Sequence, residues 1–290
     1  MTPVGAVDSV WRYPAKSMMG DDFASLPVDE GGVVGDRGWA VRDEVRGGIR
    51  GAKKIGGLMR LHARYVEEPR RGGPPPPIEV TAPDGRRVRS DDDDVHHRLS
   101  QLLEHPVTLW PLQPKDDLDH YRRGAPDADD VGAEMRAMFG REPDEPLPTF
   151  EGIPLDVLVE YESPPGSYFD AFPIHVVTDR SLATLAALTP GSEFDVRRFR
   201  PNVVVAVEPD VDGDFPEQAW IGRTLDVGDA ELEVTAACPR CVMVTRDLAE
   251  LPEDRWVLRT IVRHADQNIG VYANVRRAGT LQAGAAVTLR

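Results

Sequence analysis

Short β-like runs dominate the first 65 residues of the chain. AVDSVWRYPAK, GWAVRDE and MRLHARYV each mix apolar and polar positions over a length typical of single strands. Gly-rich stretches, EGGVVGDRG and EVRGGIRG, separate these runs and are typical of tight turns. This part of the chain is therefore predicted to be a set of short strands joined by turns.

The pattern becomes mixed further along the chain. RRGGPPPPIEVTAPDGRRV predicts a proline turn, one strand and a second turn at PDG. DDDDVHHRLSQLLEH predicts a short helix, because acidic residues at a helix start interact favourably with the helix dipole. VTLWPL predicts another strand. Residues 113–149 are rich in Asp, Pro and Arg and predict a connecting loop with a short helix at VGAEMRAMF.

The rest of the chain predicts a second compact unit. HVVTDRSLATLAAL predicts a strand and then a helix, capped near Thr178 or Asp179, with Leu182, Leu185 and Leu188 on its apolar face. RPNVVVAVE predicts a buried strand. AWIGRTLDVGDAELEVTAAC predicts two strands joined by a turn, and GVYANVRRAGTLQAGAAVTLR predicts two more.

These elements predict a mainly β fold with some helix, of the α+β class. Many short strands and tight turns suit barrels better than a βαβ sheet. We expect an N-terminal β-barrel-like domain over residues 1–112, a connecting loop and short helix over 113–149, and a second β-barrel domain over 150–290.

Composition and charge exclude several classes of function. A formal net charge of −15 argues against nucleic acid or an anionic membrane as the main partner, since both would be repelled. No apolar stretch approaches the about 20 residues of a membrane span, and the first residues do not resemble a signal peptide. Two cysteines exclude a secreted disulfide scaffold. We expect a cytoplasmic protein.

The two cysteines, Cys238 and Cys241, lie in the sequence CPRC. Zinc is disfavoured because there is no second Cys pair and the seven His show no clear ligand spacing. A thioredoxin-type dithiol is disfavoured because LEVTAA before the pair and VMVTRD after it both predict strand, where such a motif would open a helix. Two small buried residues in a strand turn remain an alternative.

Several cationic segments share a second pattern. YPAKS, GDRGW, IRGAKK, VRRFRPN and PRC each place Lys or Arg beside small or turn-forming residues at a strand edge or turn. Each segment alone is more often a solvated face. Together, on an acidic chain, they indicate an anion pocket for a phosphate-bearing ligand near a thiolate.

Six motifs in the same order resemble the MOSC family, named after the C-terminal domain of molybdenum cofactor sulfurase. They are YPAKSMMG, GDRGWAV, VVTDRSLATL, RRFRPNVVV, CPRCVMVTRD and AGTLQAGAAVTL. The resemblance covers nearly the whole chain and is greatest to two-part members similar to YcbX and the mitochondrial amidoxime-reducing component. It implies that the second barrel is a MOSC β-barrel domain.

The resemblance also implies a molybdenum cofactor, Mo-molybdopterin, with Cys241 as the catalytic metal ligand. A soft thiolate suits a metal already bound by the two sulfurs of its pterin. The cofactor-binding residues implied in the same way are Lys16, Ser17, Arg37, Thr178, Asp179, Ser181, Arg200, Asn202 and Arg240.

Three of these positions have a structural alternative. Arg37 is also suited to a surface ion pair with Asp36 or Asp43, Asn202 to capping a turn, and Ser181 to packing inside its helix. IRGAKK departs from the Thr-Ala-Arg-Gln run of relatives, which leaves its Arg50, Lys53 and Lys54 as candidate phosphate ligands.

By resemblance, the expected function is molybdenum-dependent reduction of small N-hydroxylated compounds. The electrons are expected from a separate ferredoxin- or flavin-type donor protein, because the chain has no cysteines to spare for an iron–sulfur cluster. The alternatives are a sulfur carrier or cofactor-handling module without reductase activity, and a binding domain that has lost the chemistry. The family is also associated with pyridoxal phosphate, for which this sequence offers no site.

Overall fold

A computed structural model describes residues 1–127 and 130–290. The strands are β1 (Thr2–Arg12), β2 (Asp21–Phe23), β3 (Ser25–Asp29), β4 (Gly32–Val33), β5 (Trp39–Asp43), β6 (Ile49–Arg50), β7 (His62–Tyr65), β8 (Ile78–Thr81), β9 (Arg87–Arg89), β10 (Val107–Pro111), β11 (Ile174–Thr178), β12 (Val203–Val207), β13 (Thr224–Val227), β14 (Ala230–Pro239), β15 (Asn268–Arg277), β16 (Gly279–Gln282) and β17 (Ala286–Leu289).

The helices lie between the strands along the chain. They are α1 (Val95–Leu103), α2 (Leu118–Tyr121), α3 (Val131–Phe139), α4 (Leu155–Glu160), α5 (Asp179–Leu188), α6 (Val196–Phe199) and α7 (Arg255–His264), together with 3-10 turns at Gly56–Arg60, Pro216–Trp220 and Val242–Thr245. Within the described residues, no helix has both the length and the apolar character needed to cross a membrane.

Seven strands close into a barrel. Their order is β12, β11, β15, β14, β13, β17 and β1, and pairing of β1 with β12 completes the ring. β11 and β12 run parallel because α5 and α6 carry the chain back between them. Along β14 every second residue is buried, so one face of the strand fills the barrel with aliphatic side chains.

The two ends of the chain are interleaved. β1 pairs with β12 through Gly5 and Val207, and with β17 through Thr2 and Leu289. Near the end of the chain, β16 pairs with β3 of the first segment. The predicted fold class, mainly β with some helix and with barrel architecture, is confirmed. The proposed division into 1–112, 113–149 and 150–290 stays a prediction.

A second core lies beside the barrel. It is formed by β5, β7, β8 and α1, and the residues after CPRC pack into it through Cys241, Met243 and Leu248. Two three-stranded sheets, β10-β5-β6 and β7-β8-β9, surround this core. The thiol motif therefore lies where the barrel meets the second core.

Three local predictions can be compared with the structure. Thr178 is the N-cap of α5, and the helix at VGAEMRAMF is α3, as predicted. The strand predicted after CPRC is wrong: Val242–Thr245 is a 3-10 turn. The backbone turns back on itself there, with the N–H of Val244 donating to the Cys241 carbonyl and the N–H of Arg246 to the Met243 carbonyl, as in a 3-10 turn. α4 was not predicted.

Candidate functional site

Six predicted cofactor residues line one small recess at the rim of the barrel. This inner recess has a volume of about 40 Å³ and is also lined by Asp170, His175 and Tyr272. Its walls come from the loops after β1, before β5, before β12 and after β14. The predicted residues brought together there are Lys16, Ser17, Arg37, Arg200, Asn202 and Arg240.

The backbone of the recess is locally strained. Ser17, Arg37 and Arg200 have φ angles of 64°, 49° and 55°, in the left-handed region that favours glycine. Such a conformation costs on the order of 1–3 kcal/mol for a residue with a Cβ atom, and it is found most often at functional sites. Three strained residues in one small recess therefore mark it as a candidate site on backbone grounds alone.

Lys16 is buried, and the protein itself satisfies its ammonium group. Nζ donates to the Tyr168 carbonyl at 2.9 Å and to the Ser163 hydroxyl at 3.2 Å, and it forms an ion pair with Asp170 at 2.9 Å. Burial raises the pKa of Asp170, but the nearby Lys16 and Lys53 lower it by a larger amount. Its net pKa is therefore well below the usual range. Asp170 is therefore a carboxylate near neutral pH, standing where an anionic ligand group would meet Lys16.

The opposite wall is a network around Asp36. Arg37 forms an ion pair with Asp36 and donates to the Arg200 carbonyl at 3.2 Å. Asn202 donates to Asp36 at 3.0 Å, and its side-chain oxygen accepts from the His175 backbone N–H at 3.1 Å. Arg37 thus forms an ion pair with Asp36, as the structural alternative proposed. The pair lies in the wall of the recess and not on the open surface.

Tyr13 separates two of the cations. The guanidinium groups of Arg37 and Arg200 lie 4.9 Å and 4.2 Å from its ring centroid. The cation–π attraction holds both groups against a buried ring. Burial and the positive charge of Arg37 lower the pKa of Arg200 to about 10, which still leaves it charged at neutral pH.

The two thiols have different surroundings. Cys238 is fully buried, and Arg240 donates to its Sγ at 2.8 Å. Cys241 lines a second, larger cavity that opens beside the recess. Arg240 borders both cavities and donates to the Phe199 carbonyl at 3.0 Å, while its buried Nε–H has no hydrogen-bond partner among the described residues.

We call the larger cavity the outer chamber. Its volume is about 350 Å³, and it shares Asp170, Arg240, Met243 and Tyr272 with the inner recess. Much of its lining consists of apolar side chains. Those on α3, on α4 and between them are Val131, Met135, Met138, Phe139, Phe150, Ile153, Leu155, Leu158 and Val159.

Three predicted cofactor residues are not in the recess lining. Thr178 and Ser181 donate to the fully buried Glu217 at 2.7 and 2.6 Å, and Asp179 accepts from the backbone N–H of Val207 at 3.1 Å. Glu217 also accepts from the backbone N–H of Gly270. These residues brace the junction of β11, α5 and β15, so the packed alternative for Ser181 is the one observed.

The cations of IRGAKK face the chamber, where they are paired. Lys53 lies 3.6 Å from Asp170, Lys54 pairs with Asp127 at 2.7 Å, and Arg50 lies 3.4 Å from Asp127. Burial lowers the pKa of Lys53, but its interactions with Asp170 and Cys241 raise it by more, so its net pKa is above normal.

Asp170, His175 and Tyr272 are among the recess residues that sequence reasoning missed. Asp170 lies in the aromatic stretch SYFDAFP, His175 is the second residue of β11, and Tyr272 lies on β15. Burial and the charge of Arg240 lower the pKa of His175 well below 6.5, so it is neutral near pH 7. A lone Asp among aromatic residues directly before a buried strand was the one available signal.

Comparison with known proteins finds a match to one protein family. The MOSC domain model matches residues 164–288. Mitochondrial amidoxime reducing component 2 is 29% identical over 133 residues in Rattus norvegicus and 27% identical over 131 residues in Bos taurus. Each match covers 41% of this chain, and the chain spans 37% of the length of these curated relatives.

Solved structures similar to this chain include two bacterial proteins. YuaD from Bacillus subtilis is 12% identical with a TM-score of 0.43, covering 99% of this chain and 95% of its own. YiiM from Escherichia coli is 14% identical with a TM-score of 0.31, covering 44% of this chain and 58% of its own. The family match confirms the resemblance seen in the sequence motifs: residues 164–288 of this chain are a MOSC domain.

Proposed function

We propose that this protein is a molybdenum-cofactor-dependent reductase of N-hydroxylated compounds. The observation that carries the proposal is the asymmetry of CPRC. Cys238 is held in the interior by Arg240, whereas Cys241 faces the chamber beside Lys53 and next to a cationic recess. One available thiolate is what a metal already bound by two pterin sulfurs requires.

The donor groups at the site fit such a cofactor. Lys16, Arg37 and Arg200 supply positive charge for a phosphate, and charge-assisted bonds to phosphate are among the strongest hydrogen bonds in proteins. Arg240 has a buried Nε–H that lacks a partner among the described residues and lies between recess and chamber. Cys241 would hold the metal, and the residues of the inner recess would hold the phosphate and the polar edge of the pterin.

When bound, the cofactor supplies two-electron chemistry between Mo(IV) and Mo(VI). An amidoxime that takes up two electrons and two protons loses its N–O bond and gives an amidine and water. The protein holds the N-hydroxylated head near Cys241, and its walls keep the other side of the substrate out of water. Asp170 as a carboxylate can accept a hydrogen bond there, and His175 is a neutral imidazole whose Nε2 lies 3.2 Å from the Ile269 carbonyl, so neither is a ready proton donor near pH 7.

The electrons are proposed to come from a separate donor protein of ferredoxin or flavin type. Once Cys241 serves as a ligand, one cysteine remains in the sequence, and an iron–sulfur cluster requires more. A sulfur carrier is the second candidate, but its persulfide must reach an acceptor. The burial of Cys241, which is 8% exposed, favours chemistry within the chamber over transfer to another protein.

The test is metal and pterin analysis of protein produced in a host that makes the cofactor. We expect about one molybdenum and one pterin per chain, and turnover of benzamidoxime with a chemically reduced viologen as electron donor. Molybdenum without turnover would favour a cofactor-handling role. Persulfide on Cys241 without molybdenum would favour the sulfur carrier. If the protein carried neither persulfide nor molybdenum, the binding-domain alternative would be favoured.

A further inference from the structure

The outer chamber has an apolar wall that the protein leaves uncovered. None of the six residues of α4, all within the described chain, is buried. Leu155 and Val159 are 43% and 74% exposed, yet both line the chamber together with Leu158. An amphipathic helix normally buries its apolar stripe against a core. In α4 that stripe borders open space, which a ligand would fill.

The chamber has the size and composition of a small-molecule site. Its volume of about 350 Å³ falls within the range of about 300–1,000 Å³ that is typical of ligand pockets. Met135, Met138 and Phe150 add to the apolar surface that α4 contributes. Methionine side chains adapt readily to differently shaped apolar partners, so this wall suits a range of apolar groups.

Apart from Arg240, the charged groups that line the chamber are paired within the protein. Glu134 pairs with Lys54, Glu162 with Arg123 at 2.6 Å, and Asp170 with Lys53 at 3.6 Å. A charged substituent on a ligand would have to disrupt one of these pairs or stay unpaired in a partly dry cavity, and both are unfavourable. An uncharged apolar group meets no such opposition.

The lining of the chamber combines polar and apolar groups. Cys241, Arg240 and Tyr272 supply polar groups, and α3 and α4 supply most of the apolar side chains. We infer that the outer chamber binds the uncharged, apolar body of the substrate against α3 and α4, with its polar N-hydroxylated head toward Cys241. The position of the head rests on the proposed function, whereas the site for the body rests on the chamber itself.

Direct binding tests the inference without turnover. In the absence of an electron donor an amidoxime is not consumed, so dissociation constants can be measured by calorimetry on the protein as purified. We expect benzamidoxime to bind at least about tenfold more tightly than acetamidoxime, because its ring buries more apolar surface. A 4-carboxylate on the ring is expected to weaken binding by at least about tenfold.

A matched pair of variants locates the site. Leu155 on α4 and Leu188 on α5 are both 43% exposed, but Leu188 is not among the chamber residues. Leu155→Asp should weaken benzamidoxime binding by about tenfold, whereas Leu188→Asp should leave it unchanged. Equal affinities for the three compounds, or equal effects of the two variants, would overturn the inference.

Metal analysis and turnover separate this result from the proposed function. If the protein lacks molybdenum but still prefers benzamidoxime in a way that depends on Leu155, the reductase assignment fails and the apolar site stands. If molybdenum and turnover are present but the three compounds bind equally, the reductase assignment stands and the apolar site is wrong.

Discussion

The inner recess and the outer chamber differ in nearly every physical respect although they share four residues. The recess has a volume of about 40 Å³, and its cations bond to carbonyls and carboxylates of the protein itself. The chamber has a volume of about 350 Å³ and an apolar wall without cover. The recess is thus preorganised by internal polar contacts, and the chamber is left for an external partner.

The difference indicates two kinds of ligand recognition. Binding in the recess must replace existing contacts, above all those of Lys16 with Asp170 and the Tyr168 carbonyl. Such exchange favours a strong anion such as phosphate over weaker ligands. Binding in the chamber replaces only water on apolar surface, which is less specific. Under the proposed function, this arrangement predicts selective binding of the cofactor phosphate and broad acceptance of substrates.

The largest expected effect is at the thiol between the two cavities. Cys241→Ser should keep the fold but lose molybdenum and reduce N-reductive turnover to background, because a neutral hydroxyl is a poor replacement for a soft thiolate. The matched variant Cys238→Ser should keep the metal and much of the activity. Molybdenum per chain and benzamidoxime turnover are measured for both, and loss of the metal from Cys238→Ser alone would show that the wrong ligand was named.

The next largest effect breaks the recess. Lys16→Ala with Arg200→Ala removes two charge-assisted bonds, each worth about 1.5–3 kcal/mol, so pterin affinity should fall about ten- to hundredfold for each bond. The protein should purify largely without pterin. Lys115→Ala with Arg276→Ala, at exposed positions, is the control. Full pterin occupancy in a folded Lys16–Arg200 double variant contradicts the assignment.

The pH dependence of the free energy of unfolding tests whether the recess is a dry polar site. His175 has a folded-state pKa well below 6.5, so below pH 6.5 the unfolded chain binds a proton that the folded chain does not. The free energy of unfolding should therefore fall as pH drops below 6.5, by up to about 1.4 kcal/mol per pH unit, until the folded-state pKa is reached.

The measurement is urea unfolding between pH 7.5 and 4.5. His175→Gln should reduce the dependence on pH in this window, and His97→Gln, at an exposed position, should not. Parallel curves for the wild type and His175→Gln would show that the imidazole does not carry this dependence.

The smallest effect is expected on α4. Leu158→Ser should change the free energy of unfolding by less than about 0.5 kcal/mol, because no residue of α4 is buried. With benzamidoxime present, however, the ligand-induced rise in Tm should be smaller in this variant than in the wild type. Leu188→Ser should alter neither value. A large loss of stability in ligand-free Leu158→Ser would mean that α4 already has an apolar partner.

Local chemistry explains which parts of the fold were predictable. Thr178 caps α5 because a hydroxyl at that position accepts from a backbone N–H of the first turn, and sequence alone reveals such a cap. The recess residues were found through motifs, each of which lies within a few consecutive positions. The 3-10 turn at Val242–Thr245 was not predictable, since its burial depends on the second core formed by distant residues.

The site was predictable only in part for the same reason. Thr178, Asp179 and Ser181 lie in a matched motif, but Glu217 draws two of them into a buried network. Asp170 has its place in the recess through Lys16, which is 154 positions earlier in the chain. Contacts of that range leave no periodic or local pattern in a single sequence.

Pairing of β1 with β12 and β17 also sets the order in which the molecule can form. During synthesis β1 leaves the ribosome well before its partner residues Val207 and Leu289. Until these partners are made, the apolar side chains of Val4, Val7 and Val10 lack the barrel core that buries them in the folded protein. Contacts so distant in sequence slow folding and leave strand edges open to wrong partners. Ring closure is therefore a late step, and the edges of β1 stay unpaired until it occurs.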